Sequence, residues 1–398
     1  VRAKRVAVLG AGLSGLSAAE ALSRVGHDVI VLERQARVGG RAHSLRNGLA
    51  PGLLAEAGPS RYPPSLMRVF GLAKRFGLEI EPFYPEFGTV VGHLRGERVE
   101  RHEPSPEEFW GYTSLRSRYP GRVEGSLIRA ALRARRTFQR LRGKEPWATF
   151  RIGGGTHRLA EALAGAFADG SGAELRLRVT VESVVQAKDH VTVSFLTPDG
   201  PGTLDAEYVV CALPLTQVPK IEFGPALSKR KRDLAARIPF SSAIRVFVQM
   251  TKPYWRDQRH NGFAVTDTVG EVWDPHFDTP REPALLVCYA QGDLACSIGR
   301  LEEAERLERT VDNLEAVFPG ARRHAEGGAS FYWDEQPWIG GGWPLARHGF
   351  SHKVAIFREP EGRIHFAGDY AAHPDWLNTA EGALESGQHA AERISKAS

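Results

Sequence analysis

Cysteine is almost absent: Cys211, Cys288 and Cys296 are the only three in 398 residues. Their spacing fits neither a disulfide framework nor a zinc site, so the fold is expected to stand without cross-links, in a reducing compartment and without a metal. Long apolar runs are missing as well. No stretch of about 18 apolar residues occurs, which argues against a membrane-spanning helix. The first strand begins at Arg5 with no apolar leader ahead of it, and the expectation is a cytoplasmic protein. Charge of one sign does not dominate: 52 Lys and Arg stand against 47 Asp and Glu, a net charge of +5. That balance leaves no electrostatic footprint for nucleic acid. There is no internal repeat, P-loop, nucleophile triad or metal-ligand cluster, and His157, His190 and His365 are scattered enough to be read as structural.

What is present describes an ordinary globular chain, 42% hydrophobic and 25% charged, of a length that favours two domains. Arg5–Leu9 is a short apolar run, Leu13–Val25 has helical spacing and Asp28–Leu32 is a second apolar run, giving a minimal β-turn-α-β unit. A helix is expected after Pro63 through Gly77, then a hairpin over Tyr84–Glu100 turning at Arg95-Gly96. Residues 106–144 read as helical and carry a basic cluster, Arg129, Arg133, Arg135, Arg136, Arg140, Arg142 and Lys144, whose simplest reading is a solvated face and whose sharper one is a docking surface for an acidic partner or anionic substrate. A glycine turn at 151–157 leads into a helix, Arg158–Phe167, followed by strands Leu175–Val185, His190–Phe195 and Tyr208–Ala212. Further strands are expected at Ala243–Met250, Pro283–Tyr289 and Arg363–Ala367, with helices at Glu302–Val317 and from Ala380 onward.

Gly10-Ala11-Gly12-Leu13-Ser14-Gly15 follows a strand and opens a helix, and Glu33 closes the next strand. This is the dinucleotide fingerprint. Gly10 permits the tight turn, Gly12 lets backbone approach a pyrophosphate and Gly15 lets helix and strand pack closely. The helix start, with Leu13 and Ser14, supplies amide donors to phosphate. Glu33 accepts ribose hydroxyls and repels a 2′-phosphate, which argues against NADP. Arg34, Gly39, Gly40 and Arg41 continue the motif, with Arg41 suited to a charge-assisted phosphate contact.

From these residues onward the chain resembles the flavin-containing amine oxidase superfamily, which includes monoamine, polyamine and L-amino acid oxidases and relatives such as protoporphyrinogen oxidase. Ala55-Glu56-Ala57-Gly58-Pro59-Ser60-Arg61 resembles the segment that passes the flavin ring. Val179–Val184, with Val181, is similar to the strand near the adenine, and Tyr208–Pro214 to the apolar strand ending in Ala-Pro. The closest likeness at the other end is Gly362–Asp369, with Gly368, followed by Thr379, Ala380 and the helix through Gly387. The resemblance implies non-covalent FAD, with Asp369 near the ribityl-phosphate and the helix start at Thr379 and Ala380 near the flavin carbonyl. It also implies an α/β fold: a Rossmann-type FAD domain assembled from residues 1–75, 150–220 and 345–398, plus an α+β substrate domain with a mixed or antiparallel sheet from 76–149 and 221–344.

Three positions depart from the family's pattern. Arg245 stands where the amine oxidases carry a lysine that holds a water near flavin N5; it donates hydrogen bonds but is no neutral base. Gly342 stands where monoamine oxidases carry the flavin-linked cysteine. Trp343 supplies one aromatic wall, while Thr379 replaces the tyrosine of the second, with Trp376 near enough in sequence to contribute. Arg61 lies in a segment similar to the one with which L-amino acid oxidases hold a substrate carboxylate. The reading is an FAD-dependent oxidase that moves a hydride from an amine-bearing carbon, in an L-amino acid or an amine derived from one in specialised metabolism, to flavin N5. The products are an imine and H2O2, O2 is the electron acceptor, and Arg61, Arg245, Trp343 and Thr379 face a small-molecule, partly anionic substrate. A homodimer is compatible with this reading. A C–C desaturase or protoporphyrinogen oxidase-like enzyme, a flavin-dependent mutase and a non-catalytic flavin-binding protein stand as alternatives.

Overall fold

The computed structural model describes residues 2–45, 47–84, 88–102, 149–170, 172–345 and 355–397. The expected helical segment at 106–144, with its basic cluster, lies outside them. The described chain is a mixed α/β fold with several sheets.

One sheet has five parallel strands in the order Ile364–Phe366, Tyr208–Cys211, Arg5–Leu9, Asp28–Glu33 and Ala173–Leu177. The central strands Arg5–Leu9, Asp28–Glu33 and Tyr208–Cys211 are largely apolar because both their faces are covered, whereas the edge strand Ala173–Leu177 carries an exposed Glu174–Arg176 pair. Val6, Val8, Val29 and Val31 point to the side packed by three helices, Leu13–Arg24, His157–Ala168 and Ala380–Lys396. Ala7, Leu9, Ile30 and Leu32 point to the opposite side, against Val184, Val193 and Leu204 of a four-stranded sheet. The two-residue alternation thus sorts one strand's side chains into two cores.

A seven-stranded sheet runs in the order Ala325–Tyr332, Ala243–Met250, Ala284–Gln291, Glu271–Trp273, His260–Thr266, Thr89–Leu94 and Glu97–His102. All its pairings are antiparallel except that of Thr89–Leu94 with His260–Thr266. Ile244, Val246, Val248 and Met250 face a core shared with the helices Gly292–Gly299 and Glu303–Val317. Phe247 faces the other way, and so by alternation does Arg245. That puts a cation on the side of the sheet turned toward the parallel sheet's loops.

The expected hairpin forms as Thr89–Leu94 and Glu97–His102, with Arg95 at φ 56° and Gly96 at φ 78°, the pair of left-handed residues a two-residue turn requires. The strand expected over Leu175–Val185 is instead two: Arg178 takes φ 61°, so Ala173–Leu177 ends in the parallel sheet and Thr180–Gln186 starts another. Several elements lay unread in the sequence, among them the helix Lys229–Arg237 and the strands Gly200–Ala206, His260–Thr266 and Ala325–Tyr332. The last includes Gly327 and Gly328, which weaken a strand's sequence signature. Gly328 is needed there, since a Cβ would sit 2.0 Å from the Phe247 carbonyl oxygen.

The first and last helices cross closely at Gly387, where a Cβ would lie 2.2 Å from the Ser14 carbonyl oxygen. Gly387→Leu is expected to lower stability by about 2 kcal/mol, seen as a lower urea midpoint. Acid is expected to destabilise the protein for a separate reason. Burial, aided by nearby cations, holds His43 and His365 down at about 4, so the unfolded chain binds these protons first. Their contribution is present above the ordinary value of about 6.5 and is lost as pH falls through about 4. Asp274, held up at about 6 by burial, works the opposite way between that value and its ordinary one. Thermal unfolding followed from about pH 7 to about pH 4.5 should show a falling midpoint, and His365→Gln should shrink the fall.

Candidate active site

A cavity of about 630 Å³ runs from the Gly10–Ser14 turn to the face of the seven-stranded sheet. Its volume is in the range of small-molecule and cofactor sites. At one end Gly10, Gly12, Leu13, Ser14, Glu33, Arg34 and Val181 line it. Gly10 has φ +98°, a value glycine tolerates, and a Cβ on Gly15 would lie 1.9 Å from the Gly10 carbonyl oxygen, so turn and helix close tightly. Gly15 accordingly faces the fold rather than the cavity. A Cβ on Gly12 would meet no protein atom within 4 Å; the space in front of this backbone is reserved for something other than protein. The first turn of Leu13–Arg24 leaves its amide groups at that wall, with the positive end of the helix dipole behind them.

Glu33 closes the end of its strand. Its carboxylate accepts from the Ala11 amide at 2.7 Å and the Gln35 amide at 2.8 Å, which fixes its orientation and leaves lone pairs for a ligand. Burial raises its pKa, against the pull of those amides.

Midway along the cavity, Gly39 and Gly40 hold positive φ and a backbone bridge joins Gly12 to Gly39. Arg41 follows. It pairs in a two-pronged contact with Asp369 at 2.5 and 2.9 Å and donates to the Gly342 carbonyl oxygen at 2.8 Å. Gly58, Pro59, Gly368, Asp369, Thr379 and Ala380 line this stretch. Asp369 is an ion-pair partner and not a helix cap; the cap is Thr379, whose hydroxyl accepts from the Gly382 amide at 3.0 Å.

At the far end stand Arg245, Tyr289, Trp333, Gly342 and Trp343. Arg245 is 5% exposed. It donates to the Glu56 carbonyl oxygen and to Ser60 Oγ, and its Nε has no hydrogen-bond partner among the described residues. Its guanidinium lies over the Tyr289 ring at 4.8 Å and the Trp273 ring at 5.3 Å. Burial pulls its pKa down to about 10, a value at which it stays protonated near neutrality.

Three residues expected at the site, Arg61, Ser60 and Trp376, are not among those lining this cavity. Arg61 lines this cavity nowhere; it forms an ion pair with Glu271 at 2.5 Å, and its guanidinium lies over Trp273 at 5.5 Å. A carboxylate already occupies the fork that was expected to take one from substrate. Ser60 opens onto a neighbouring cavity of about 310 Å³ that also borders Glu56, Phe83, Arg151, Trp273 and Val287. Trp376, partly buried, packs against the core beneath the parallel sheet and is not among the residues that line the cavity. The aromatic lining comes instead from Trp343, Tyr289 and Trp333, and sequence reasoning missed the last two. Tyr289 was within reach, since strand pairing sets it directly opposite Arg245. Trp333 is fixed by donating from Nε1 to the Ala57 carbonyl oxygen at 2.9 Å, a contact across distant segments that no local signal announces.

The family described as "Flavin containing amine oxidoreductase" matches residues 13–146 and 97–395. Human "Amine oxidase [flavin-containing] B" is 27% identical, over 98% of this chain and 85% of the relative. The L-amino-acid oxidase of Protobothrops flavoviridis is 24% identical, over 99% of this chain and 89% of the relative. Among solved structures, cyclohexylamine oxidase from Brevibacterium oxydans has a TM-score of 0.79 at 22% identity and covers 99% of each chain. Putrescine oxidase bound to putrescine has a TM-score of 0.77, also at 22% identity, and covers both chains in full. These two structural likenesses speak to the fold.

Asp369→Ala leaves the Arg41 guanidinium without its carboxylate in a site where the pair is mostly buried. Stability is expected to fall by at least about 2 kcal/mol, measured by urea unfolding at neutral pH. Asp369→Asn, which keeps one acceptor oxygen, should fall less.

Proposed function

The chain belongs to the flavin-containing amine oxidoreductase family, and we propose that it oxidises an amine-bearing carbon to an imine. It is a flavin-dependent oxidoreductase whose cofactor is FAD. When bound, FAD would supply the hydride acceptor, N5 of the isoalloxazine, and the two-electron route to O2 that yields H2O2. The observation that carries this reading is the single cavity joining a dinucleotide-type turn to a cationic and aromatic end.

The residues present fit that cofactor. Gly10 and Gly12 with the amides of Leu13 and Ser14 suit a pyrophosphate, Glu33 suits ribose hydroxyls, and Arg34 and Val181 border the adenosine end. Gly39, Gly40, Gly58, Pro59 and Gly368 keep the walls thin, the Arg41–Asp369 pair spans the middle, and Thr379 and Ala380 present a helix start to the flavin end. Gly342 has no side chain to form a thioether, so retention is non-covalent. In domain terms we assign residues 1–75, 150–220 and 345–398 to a Rossmann-type FAD unit and 76–149 and 221–344 to the substrate unit.

Arg245 orients the polar part of the substrate and excludes bulk water from the reacting carbon, while Trp343 and Tyr289 pack against its apolar part. The amine must reach the site neutral, with its lone pair available. Because Glu271 engages Arg61, an amine lacking an α-carboxylate is favoured over an L-amino acid, whose carboxylate would have to displace Glu271. The likeness to L-amino-acid oxidases and the unpartnered Nε of Arg245 keep the amino acid as the second reading.

Anaerobic mixing of the purified yellow protein with simple amines, L-amino acids and amine-free reductants tests the proposal. Rapid bleaching by an amine, with peroxide formed when air is admitted, is the expected result. Bleaching only by amine-free compounds would replace it with the C–C desaturase alternative. If amino acids are the substrates, Arg245→Gln, which removes the cation at the aromatic end of the cavity, should lower their kcat/KM by about tenfold more than that of simple amines, the weight of one charge-assisted contact.

A further inference from the structure

Arg34 follows the Asp28–Glu33 strand, and Trp338 lies in the loop after the Ala325–Tyr332 strand. The two meet at the rim of the first cavity, where the Arg34 guanidinium carbon is 4.2 Å from the centroid of the Trp338 ring. Both line the end of the cavity that Glu33 and Val181 also line. Neither side chain is settled by protein alone. Trp338 is the one aromatic among the exposed large hydrophobic side chains of the described residues, at 38% exposure, and apolar area left at a cavity rim gains when something flat covers it. Arg34 Nε is buried and has no hydrogen-bond partner among the described residues. A buried N–H in that condition costs free energy until an acceptor reaches it. One ligand group answers both needs: a heteroaromatic base, which offers a flat face and ring-nitrogen or ribose acceptors at its edge.

We propose that Arg34 and Trp338 form a clasp that closes the cavity over the adenosine half of the cofactor. Arg34 Nε–H donates to that half, and the Trp338 ring, held against the guanidinium, covers it. This rests on the FAD reading above and deepens it by naming what holds the cofactor in. The need for such a device follows from the lining: Cys211, Cys288 and Cys296 are all absent from it, and Gly342 offers no attachment. Without a covalent link, the rate of loss is set by how the cavity is shut. The clasp draws one jaw from the turn beside the fingerprint and the other from the segment that runs on to Trp343, so it also ties the two ends of the site together.

The test is spontaneous release of FAD from holoprotein after dilution, read as recovered flavin fluorescence, together with calorimetric binding of ADP and of FMN to apoprotein. Trp338→Ala and Arg34→Ala should each release FAD about tenfold faster and bind ADP about tenfold more weakly, the scale of a desolvated cation–π contact. FMN, which lacks the adenosine, should bind both variants as it binds wild type, and Trp338→Phe should restore most of the hold. FAD release and ADP binding unchanged in both alanine variants would overturn the clasp and leave the cofactor reading intact. A purified protein that carries no flavin and takes up none would sink that reading and the clasp with it. Should Trp338→Ala lose FMN binding as well, its fold is at fault, and Arg34→Ala decides.

Discussion

The site depends on the ion pair between Arg41 and Asp369. Three distant stretches of chain converge there: the glycine-rich continuation of the fingerprint, the loop at Gly342 and the segment that ends the last parallel strand. A guanidinium offers several donors in a fixed plane, so it can hold a carboxylate with two of them and a carbonyl oxygen with a third. A lysine in its place would present a point charge and lose the planarity that sets the loop at Gly342 against the strand ends. Because the pair is mostly buried, its partners cannot drift apart without stranding a charge, and the middle of the cavity is fixed in width as a result.

The second constraint is the alternation along Ala243–Met250. Four of its side chains serve a core, which leaves Arg245 on the opposite face, and register with Ala284–Gln291 then sets Tyr289 beside it. The aromatic and cationic end of the cavity is thus a consequence of strand pairing rather than of any local motif. The same alternation explains why the central strands of the five-stranded sheet read as nearly unbroken apolar runs: their two faces serve different cores.

Much of this was legible in advance, for physical reasons that differ from place to place. The Gly10–Gly15 turn could be read because each glycine answers a separate steric demand, and Glu33 because its spacing follows from strand and helix length. The Arg95-Gly96 turn could be read because few sequences accept two left-handed residues in succession. Arg178 could not, since nothing in its neighbours signals a left-handed break within a β-branched stretch. The glycine-rich strand Ala325–Tyr332 was hidden by the composition its close approach to Phe247 demands. Arg61 was placed by family resemblance, but its partner Glu271 lies on a strand that the sequence did not reveal, so the ion pair that redirects it was invisible.

That an arginine stands at position 245, where the resemblance leads one to expect a lysine, has a consequence that burial makes plain. Desolvation disfavours any buried cation, and here it draws arginine from 12.5 to about 10. The same burial would draw a lysine, whose ordinary value is lower, down toward neutrality. Arg245, at about 10, keeps its charge near neutrality. Arg245 is therefore a fixed positive field whose Nε has no hydrogen-bond partner among the described residues. Two rings at 4.8 and 5.3 Å favour that charge remaining where it is. On the proposed reading, proton handling then falls to the substrate and to solvent, which makes the ionisation of the substrate amine the step on which the pH dependence of the chemistry turns.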